Sequence, residues 1–222
     1  MKRVFWSVLG LCTAVACNHQ VDPSVTPRKI PRVSPPIQAR AQLLITPSFE
    51  EYVSEGKAGF HEYRTQYGKA AARALSALVT ESFVSTEIRH LKDVDALSLL
   101  TGPADSSVAD LLLVPSFESA GAGARFIPAD STFTASVDVG DGMVVDIPPP
   151  EMMTMKADVK LRLNARSLRT GSTYTWVTSG GTGWVYRTWG DLTGSALEQA
   201  LYALSDSLAA HRAELERVSP AR

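Results

Sequence analysis

The stretch Leu43-Leu44-Ile45-Thr46-Pro47-Ser48-Phe49-Glu50 has a near copy later in the chain, Leu111-Leu112-Leu113-Val114-Pro115-Ser116-Phe117-Glu118. Each copy is a short, continuous apolar run that a proline stops, which is typical of a strand buried on both faces. The spacing is too long for a solenoid repeat, and there is no third copy. The two copies therefore predict parallel neighbouring strands that leave a sheet at the same end, with internal duplication as the alternative.

Hydrophobic periodicity predicts the elements around these strands. Apolar residues recur at steps of three and four in the expected helices and alternate with polar residues in the expected half-exposed strands. The helices are predicted at Gly68–Phe83, at Asp93–Leu100, and from a Ser195/Glu198 capping box to Leu215. The further strands are predicted at Val84–Ile88, Phe133–Val139, Met143–Ile147, Met155–Ala165 and Tyr174–Thr178. This order predicts an α/β (α+β) fold, with helices packed on a mixed sheet in one globular domain over residues 41–217.

The amino terminus has the layout of a bacterial lipoprotein signal peptide over residues 1–16. Lys2 and Arg3 precede the apolar run Val4–Ala16, which is too short to span a bilayer as a helix. The small residues Ala14-Val15-Ala16 come directly before Cys17, an order that resembles the lipobox. By that resemblance, Cys17 is acylated and becomes the first residue of the mature protein.

Two alternatives compete with acylation of Cys17. One is a plain signal peptide that is cleaved near Cys17 with no lipid attached, and the other is acylation of Cys12. Cys12 is the poorer candidate because Leu11 stands where a small residue is preferred. Asn18 follows Cys17 in place of the aspartate that favours inner-membrane retention in enteric bacteria. We therefore expect a lipid anchor in the outer membrane, on its periplasmic side.

Residues 17–40 are predicted to form a disordered tether behind the lipid. Pro23, Pro27, Pro31, Pro35 and Pro36 punctuate this segment, and no apolar periodicity lies between them. Such a composition favours extended, solvated chain, with a reach of roughly 70 Å.

Composition excludes several classes of protein. The chain of 222 residues is 45% hydrophobic and 20% charged, which suffices for a buried core, and its formal charge of −1 gives no basic face for nucleic acid. Two cysteines exclude a disulfide scaffold and a four-thiolate zinc site. The histidines lie far apart in sequence, and there is no G-x-S-x-G or complete phosphate-binding loop. We therefore predict no catalytic residues, no metal, no cofactor and no enzymatic activity.

The order of elements from Ala41 to Leu215, behind a lipobox cysteine, resembles a known type of bacterial envelope lipoprotein. The most similar are lipoproteins with a TolB amino-terminal-like or LpoB/CsgG-like domain. These proteins act as non-enzymatic assembly or regulatory subunits, so the resemblance implies a role of that type.

Two aromatic clusters are the candidate partner-binding surfaces. The first includes Tyr52 and Tyr63, in the connection after the first strand, where the rings could instead cover the core. The second surrounds the glycines at 180, 181 and 183 and comprises Trp176, Trp184, Tyr186 and Trp189. Trp and Tyr predominate at binding hot spots, and glycines favour a mobile turn, so we predict contact there.

Three functions remain open at this point. The favoured one is a lipid-anchored interaction or assembly subunit of the cell envelope, which contacts a protein partner or peptidoglycan. The alternative is a transport-accessory lipoprotein, of the lipopolysaccharide-assembly or ABC-transport auxiliary type, which binds an amphiphile in an apolar pocket. A hydrolase with unrecognised residues is the third.

Overall fold

The structure is a computed structural model that describes residues 17–58, 61–92, 109–127, 135–138, 144–147, 152–185 and 188–217. Its strands are β1 (Cys17–Val21), β2 (Ile37–Ile45), β3 (Ser54–Ala58), β4 (His61–Thr65), β5 (Phe83–His90), β6 (Leu111–Ile127), β7 (Ala135–Asp138), β8 (Val144–Ile147), β9 (Met152–Ser167) and β10 (Thr173–Gly181). Its α-helices are α1 (Pro47–Glu50), α2 (Tyr67–Ser82), α3 (Trp189–Ala210) and α4 (Arg212–Arg217).

The repeated apolar stretches form the neighbouring parallel strands β2 and β6, as predicted, with Leu43 opposite Leu113. Pro47 ends the first stretch because it opens α1. The second stretch continues through Pro115, so the prediction of a common exit is wrong. Because β2 pairs with β6 only up to Leu113, the missing N–H of Pro115 interrupts no bond to β2.

A five-stranded mixed sheet in the order β10-β9-β6-β2-β5 forms the centre of the domain. β5, β2 and β6 run parallel, whereas β9 and β10 are antiparallel to their neighbours. β1, β4 and β3 form a second, three-stranded sheet in that order, and β7 pairs with β8. The predicted α+β class, a mixed sheet with helices packed on it, is confirmed.

Alternation along β9 directs one face of the sheet to the core and the other to water. Val159 and Leu161 are buried, whereas Lys160 and Arg162 are exposed. Both cations pair with Glu118 on β6 and hold the pKa of that carboxyl below its ordinary value through hydrogen bonds. The prediction of a strand with one solvated face is confirmed.

α2 and α3 lie side by side on the buried face, as predicted. Leu75 and Leu78 of α2 share one core with Leu201 and Leu204 of α3. α3 approaches β10 so closely at Gly180 that a Cβ there would overlap the backbone of α3. A glycine at this position therefore permits the close approach of the helix to the sheet.

The start of α3 differs from the prediction. The helix begins at Trp189, because the side-chain oxygen of Thr188 accepts a hydrogen bond from the backbone N–H of Asp191 (3.2 Å). This is an N-cap of the usual kind. Ser195 lies inside the helix, so the predicted Ser195/Glu198 capping box is wrong.

The predicted disordered tether is also corrected. Residues 17–21 form β1, and residues 22–36, which we call the N-terminal segment, lie across α2 and α3. Ile30 and Val33 are buried in the main core cluster, and Pro23 is buried as well. Apolar side chains between the prolines supply the burial, while the prolines reduce the entropy that ordering removes.

Hydrogen bonds to α3 fix the backbone of the N-terminal segment. The N–H of Ser24 donates to the carbonyl oxygen of Gly190 (3.0 Å), and Ser205 Oγ donates to that of Pro31 (2.7 Å). The hydroxyl of Tyr202 donates to the carbonyl oxygen of Lys29. Backbone N–H and C=O groups of this segment, which have no neighbouring strand, thus form hydrogen bonds with the helix that the segment crosses.

Several other predictions have a plain outcome. The hairpin around residues 140–142 is confirmed as β7 paired with β8, although its turn lies outside the described residues. The helix predicted at Asp93–Leu100 also lies outside them. Within the described ranges, the helices are too short or too polar to cross a membrane.

A single methyl group tests the packing of the N-terminal segment. Gly194 of α3 faces the backbone of Ser24, and a Cβ there would overlap the Ser24 carbonyl. Glycine to alanine in a helix interior ordinarily stabilises by about 1 kcal/mol. We expect Gly194→Ala to destabilise instead, by about 1–3 kcal/mol, because the added methyl displaces the segment.

The measurements are urea denaturation and the rate of tryptic cleavage at Arg28 and Lys29, which should rise in Gly194→Ala. Gly183→Ala is the control, since nothing lies within 4 Å of a Cβ at that position. A more stable Gly194→Ala variant with unchanged cleavage would contradict the packing.

Candidate functional site

The predicted tryptophan cluster does not form one surface. Trp189 is the first residue of α3, and Trp176 packs edge-on against His211, directly after the last residue of α3. A helix of 22 residues is about 33 Å long, so these rings lie at opposite ends of it. Both are buried, with 6% of Trp176 and 5% of Trp189 exposed. As contact residues, these two predictions are wrong, because a sheet and a helix carry the rings inward.

Trp184 is the member of the set that remains on the surface. It is 37% exposed, and the ammonium of Lys156 lies 5.7 Å from the centre of its ring. That distance is typical of a cation–π contact. Tyr186 lies outside the described residues. Trp184 is therefore the residue of this cluster that can still serve as a contact, and that role stays a prediction.

Tyr63 and Trp189 come together in an aromatic stack that joins the three-stranded sheet to α3. Their ring centres are 4.0 Å apart and nearly parallel, and His19 stacks on Tyr63 at 5.1 Å. The indole N–H of Trp189 also donates to Thr65 Oγ1 (3.1 Å). The stack connects β1, β4 and α3, so the half-buried Tyr63 packs the three-stranded sheet against the helix.

Tyr52 also packs inward. Its ring stacks on Phe117 with centres 4.3 Å apart, and its hydroxyl accepts a hydrogen bond from the N–H of Ala120 (3.2 Å). Phe49 stacks on the same Phe117. Tyr67 is buried beside them, which raises the pKa of its phenol and keeps it protonated. The first aromatic cluster thus covers the core, the alternative that its sequence had left open.

The three-stranded sheet carries a charged face. Successive side chains of a strand point to opposite faces, so Asn18, Glu62 and Lys57 form one row across β1, β4 and β3. The next row on that face contains Gln20, Arg64 and Glu55. Sequence reasoning missed these rows because they lie on strands that it read as tether and loop.

Ion pairs run across both rows of this charged face. Lys57 Nζ lies 2.6 Å from Glu62 Oε1, and Arg64 Nε lies 3.8 Å from Glu55 Oε1. The hydrogen bond to Glu62 raises the pKa of the Lys57 ammonium. A depression of about 460 Å³ is lined by the residues of both rows and by Tyr63. The surface offers paired opposite charges and amides to a polar ligand.

A second depression, of about 710 Å³, lies between α2 and the sheet edge at β5. Its lining includes the cations Lys69 and Arg73 and the apolar Ile88. Val84 on the same strand is 51% exposed. Among the described strands, β5 pairs only with β2, so no described strand pairs with its other edge.

Within the described ranges, no group of three or more His, Cys, Asp or Glu side chains is placed to hold a metal ion. His90 is paired with Glu50 at 3.0 Å, while His19 and His211 belong to separate aromatic contacts.

No protein-family model matches this chain, and no curated protein matches it. Three solved structures are similar in part, all at low identity. A Xanthomonas campestris protein of family DUF330 has a TM-score of 0.43 at 8% identity, covering 89% of this chain and 96% of its own. A Helicobacter pylori protein assigned as a neuraminyllactose-binding hemagglutinin homologue has a TM-score of 0.44 at 12% identity. The match covers 85% of this chain and 92% of the Helicobacter protein. A hypothetical protein from Chlamydia trachomatis has a TM-score of 0.39 at 6% identity, and the match covers 80% of this chain and 99% of the Chlamydia protein. At these values the likenesses carry no argument about function.

Two tryptophan substitutions separate surface from core. We expect Trp189→Ala to lower the free energy of unfolding by about 3–5 kcal/mol, because it removes a buried ring. We expect Trp184→Ala to lower it by less than about 1 kcal/mol, since the ring is 37% exposed and its cation–π contact lies at the surface. Denaturant titrations of both variants measure this, and equal losses would show that Trp184 is also core.

Proposed function

We propose that this protein is a lipid-anchored subunit of the bacterial cell envelope, held on the periplasmic side of the outer membrane, that acts by contact and not by catalysis. The observation that carries the proposal is the position of Cys17. The residue that the lipobox marks for acylation also belongs to β1, where it is paired with His61. Acylation and cleavage there would leave a mature chain that begins within a paired strand.

The packing of the described core residues favours contact over the transport-accessory alternative. An amphiphile carrier needs an apolar cavity large enough for acyl chains. Instead, the leucines of α2 and α3 pack directly on the sheet, and Leu197 and Leu201 are completely buried. The two depressions described above lie at the surface, and each has charged residues in its lining.

Two surfaces of the described chain suit a protein partner. One is Trp184 beside Lys156, and the other is the open edge of β5 with Val84 and Ile88. An open strand edge can pair with an extended segment of another protein, and exposed apolar side chains add burial. Because β5 presents both backbone and apolar groups, we favour it as the main contact surface.

Acylation is tested by metabolic labelling with an alkynyl fatty acid. We expect the wild-type protein to carry the label and Cys17→Ala to lose it, since the thiol is the site of attachment. Cys12→Ala is the matched control and should stay labelled. Label that persists in Cys17→Ala would contradict the anchor.

Contact is tested by photo-crosslinking in intact cells. A photoreactive amino acid at Ile88 should give a discrete adduct with one envelope protein, because the β5 edge is proposed to pair with it. The same substitution at Asp206, which is exposed on α3, is the control and should give none. Identical adducts from Ile88 and Asp206 would contradict the proposed contact surfaces. A lack of adducts from Ile88 and from the same substitution at Trp184 would also contradict them.

A further inference from the structure

The strand register places two charged residues one row beyond Cys17, one on β4 and one on β3. Cys17 pairs with His61, and His61 pairs with Ala58, so these three residues form one end of the three-stranded sheet. The next row contains Asn18, Glu62 and Lys57, one residue further along each strand. At about 3.3 Å per residue, this row is much closer to Cys17 than the row of Val21, about 13 Å away.

The acyl chains fix the level of this end relative to a bilayer. Acyl chains on Cys17 occupy the hydrocarbon, so the cysteine backbone lies at its boundary. The headgroup layer beyond that boundary is about 5–8 Å thick. The row of Asn18, Glu62 and Lys57 then falls within the headgroup layer.

We infer that the Cys17 end of the three-stranded sheet rests on a zwitterionic phospholipid surface, an inference that depends on the proposed acylation of Cys17. Lys57 and Glu62 offer one cation and one anion 2.6 Å apart, and the Lys57 side chain is 75% exposed. A headgroup with a phosphate and an ammonium group presents the complementary pair. Because the two protein charges cancel, anionic lipids gain no net attraction over zwitterionic ones.

The N-terminal segment makes this orientation a property of the whole domain. β1 is paired with β4 over all five of its residues, and the chain continues directly onto α2 and α3. The stack of His19, Tyr63 and Trp189 holds the sheet on α3. Because Cys17 itself belongs to β1, no flexible linker separates the lipid from the domain. The domain therefore cannot turn freely, and the same end always faces the bilayer.

Hydrogen exchange of the acylated protein in phosphatidylethanolamine-containing nanodiscs tests the inference. Relative to the mature-length Cys17→Ala chain in solution, amides of residues 17–21, 54–58 and 61–65 should exchange about tenfold more slowly. Amides of β5 and of α3 serve as internal controls and should be unchanged. Protection at β5 instead, or no protection at the Cys17 end, would overturn the inference. Intact mass reports acylation separately, so failure of the docking is distinguishable from failure of the anchor.

A charge reversal tests the chemistry of the contact. Lys57→Glu places two carboxylates against the lipid phosphates and should remove most of the protection, with a larger effect when the nanodiscs contain phosphatidylglycerol. Lys92→Glu, an exposed site after β5, is the matched control and should leave protection unchanged. An unchanged melting temperature confirms folding of both variants. Equal protection in Lys57→Glu and wild type would overturn the role of the Lys57–Glu62 pair.

Discussion

The close approach of α3 to backbone on both of its sides is the constraint on which the rest of the structure depends. Gly180 lets β10 meet the helix on one side, and Gly194 lets the N-terminal segment meet it on the other. Side chains longer than hydrogen would separate these layers, whereas their absence allows backbone hydrogen bonds and close packing. The helix therefore positions the sheet, the segment and, through Trp189, the small sheet that begins at Cys17.

This arrangement changes what a lipid on Cys17 would do. A long tether would let a domain sample a wide volume above the membrane and meet distant partners. A cysteine at the start of a hydrogen-bonded strand would instead hold the domain at the bilayer with one orientation. The open edge of β5 would then be presented at a defined height and angle, which lowers the orientational cost of a contact.

Sequence patterns predicted the elements whose burial follows a simple period. The repeated apolar stretches gave the parallel pair β2 and β6, and strict alternation gave β9. Prediction was poorer where a residue type lies in a structure in which it is usually rare. Prolines suggested disorder in a segment that Ile30 and Val33 anchor, and glycines at 190 and 194 concealed the first turns of α3. The Thr188–Asp191 pair was the available signal for that helix start.

The site was less predictable than the fold. Whether a tryptophan points to the core or to solvent depends on which face of its helix or strand is covered by other elements. Trp176 and Trp189 face the core, and the charged rows beside Cys17 require strand register that no local pattern reveals. Backbone order parameters from ¹⁵N relaxation test the central claim, a folded N-terminal segment, most directly. The account predicts values of about 0.85 for non-proline residues from Asn18 to Val33, equal to those of α3. Values below about 0.6 over that range would contradict it.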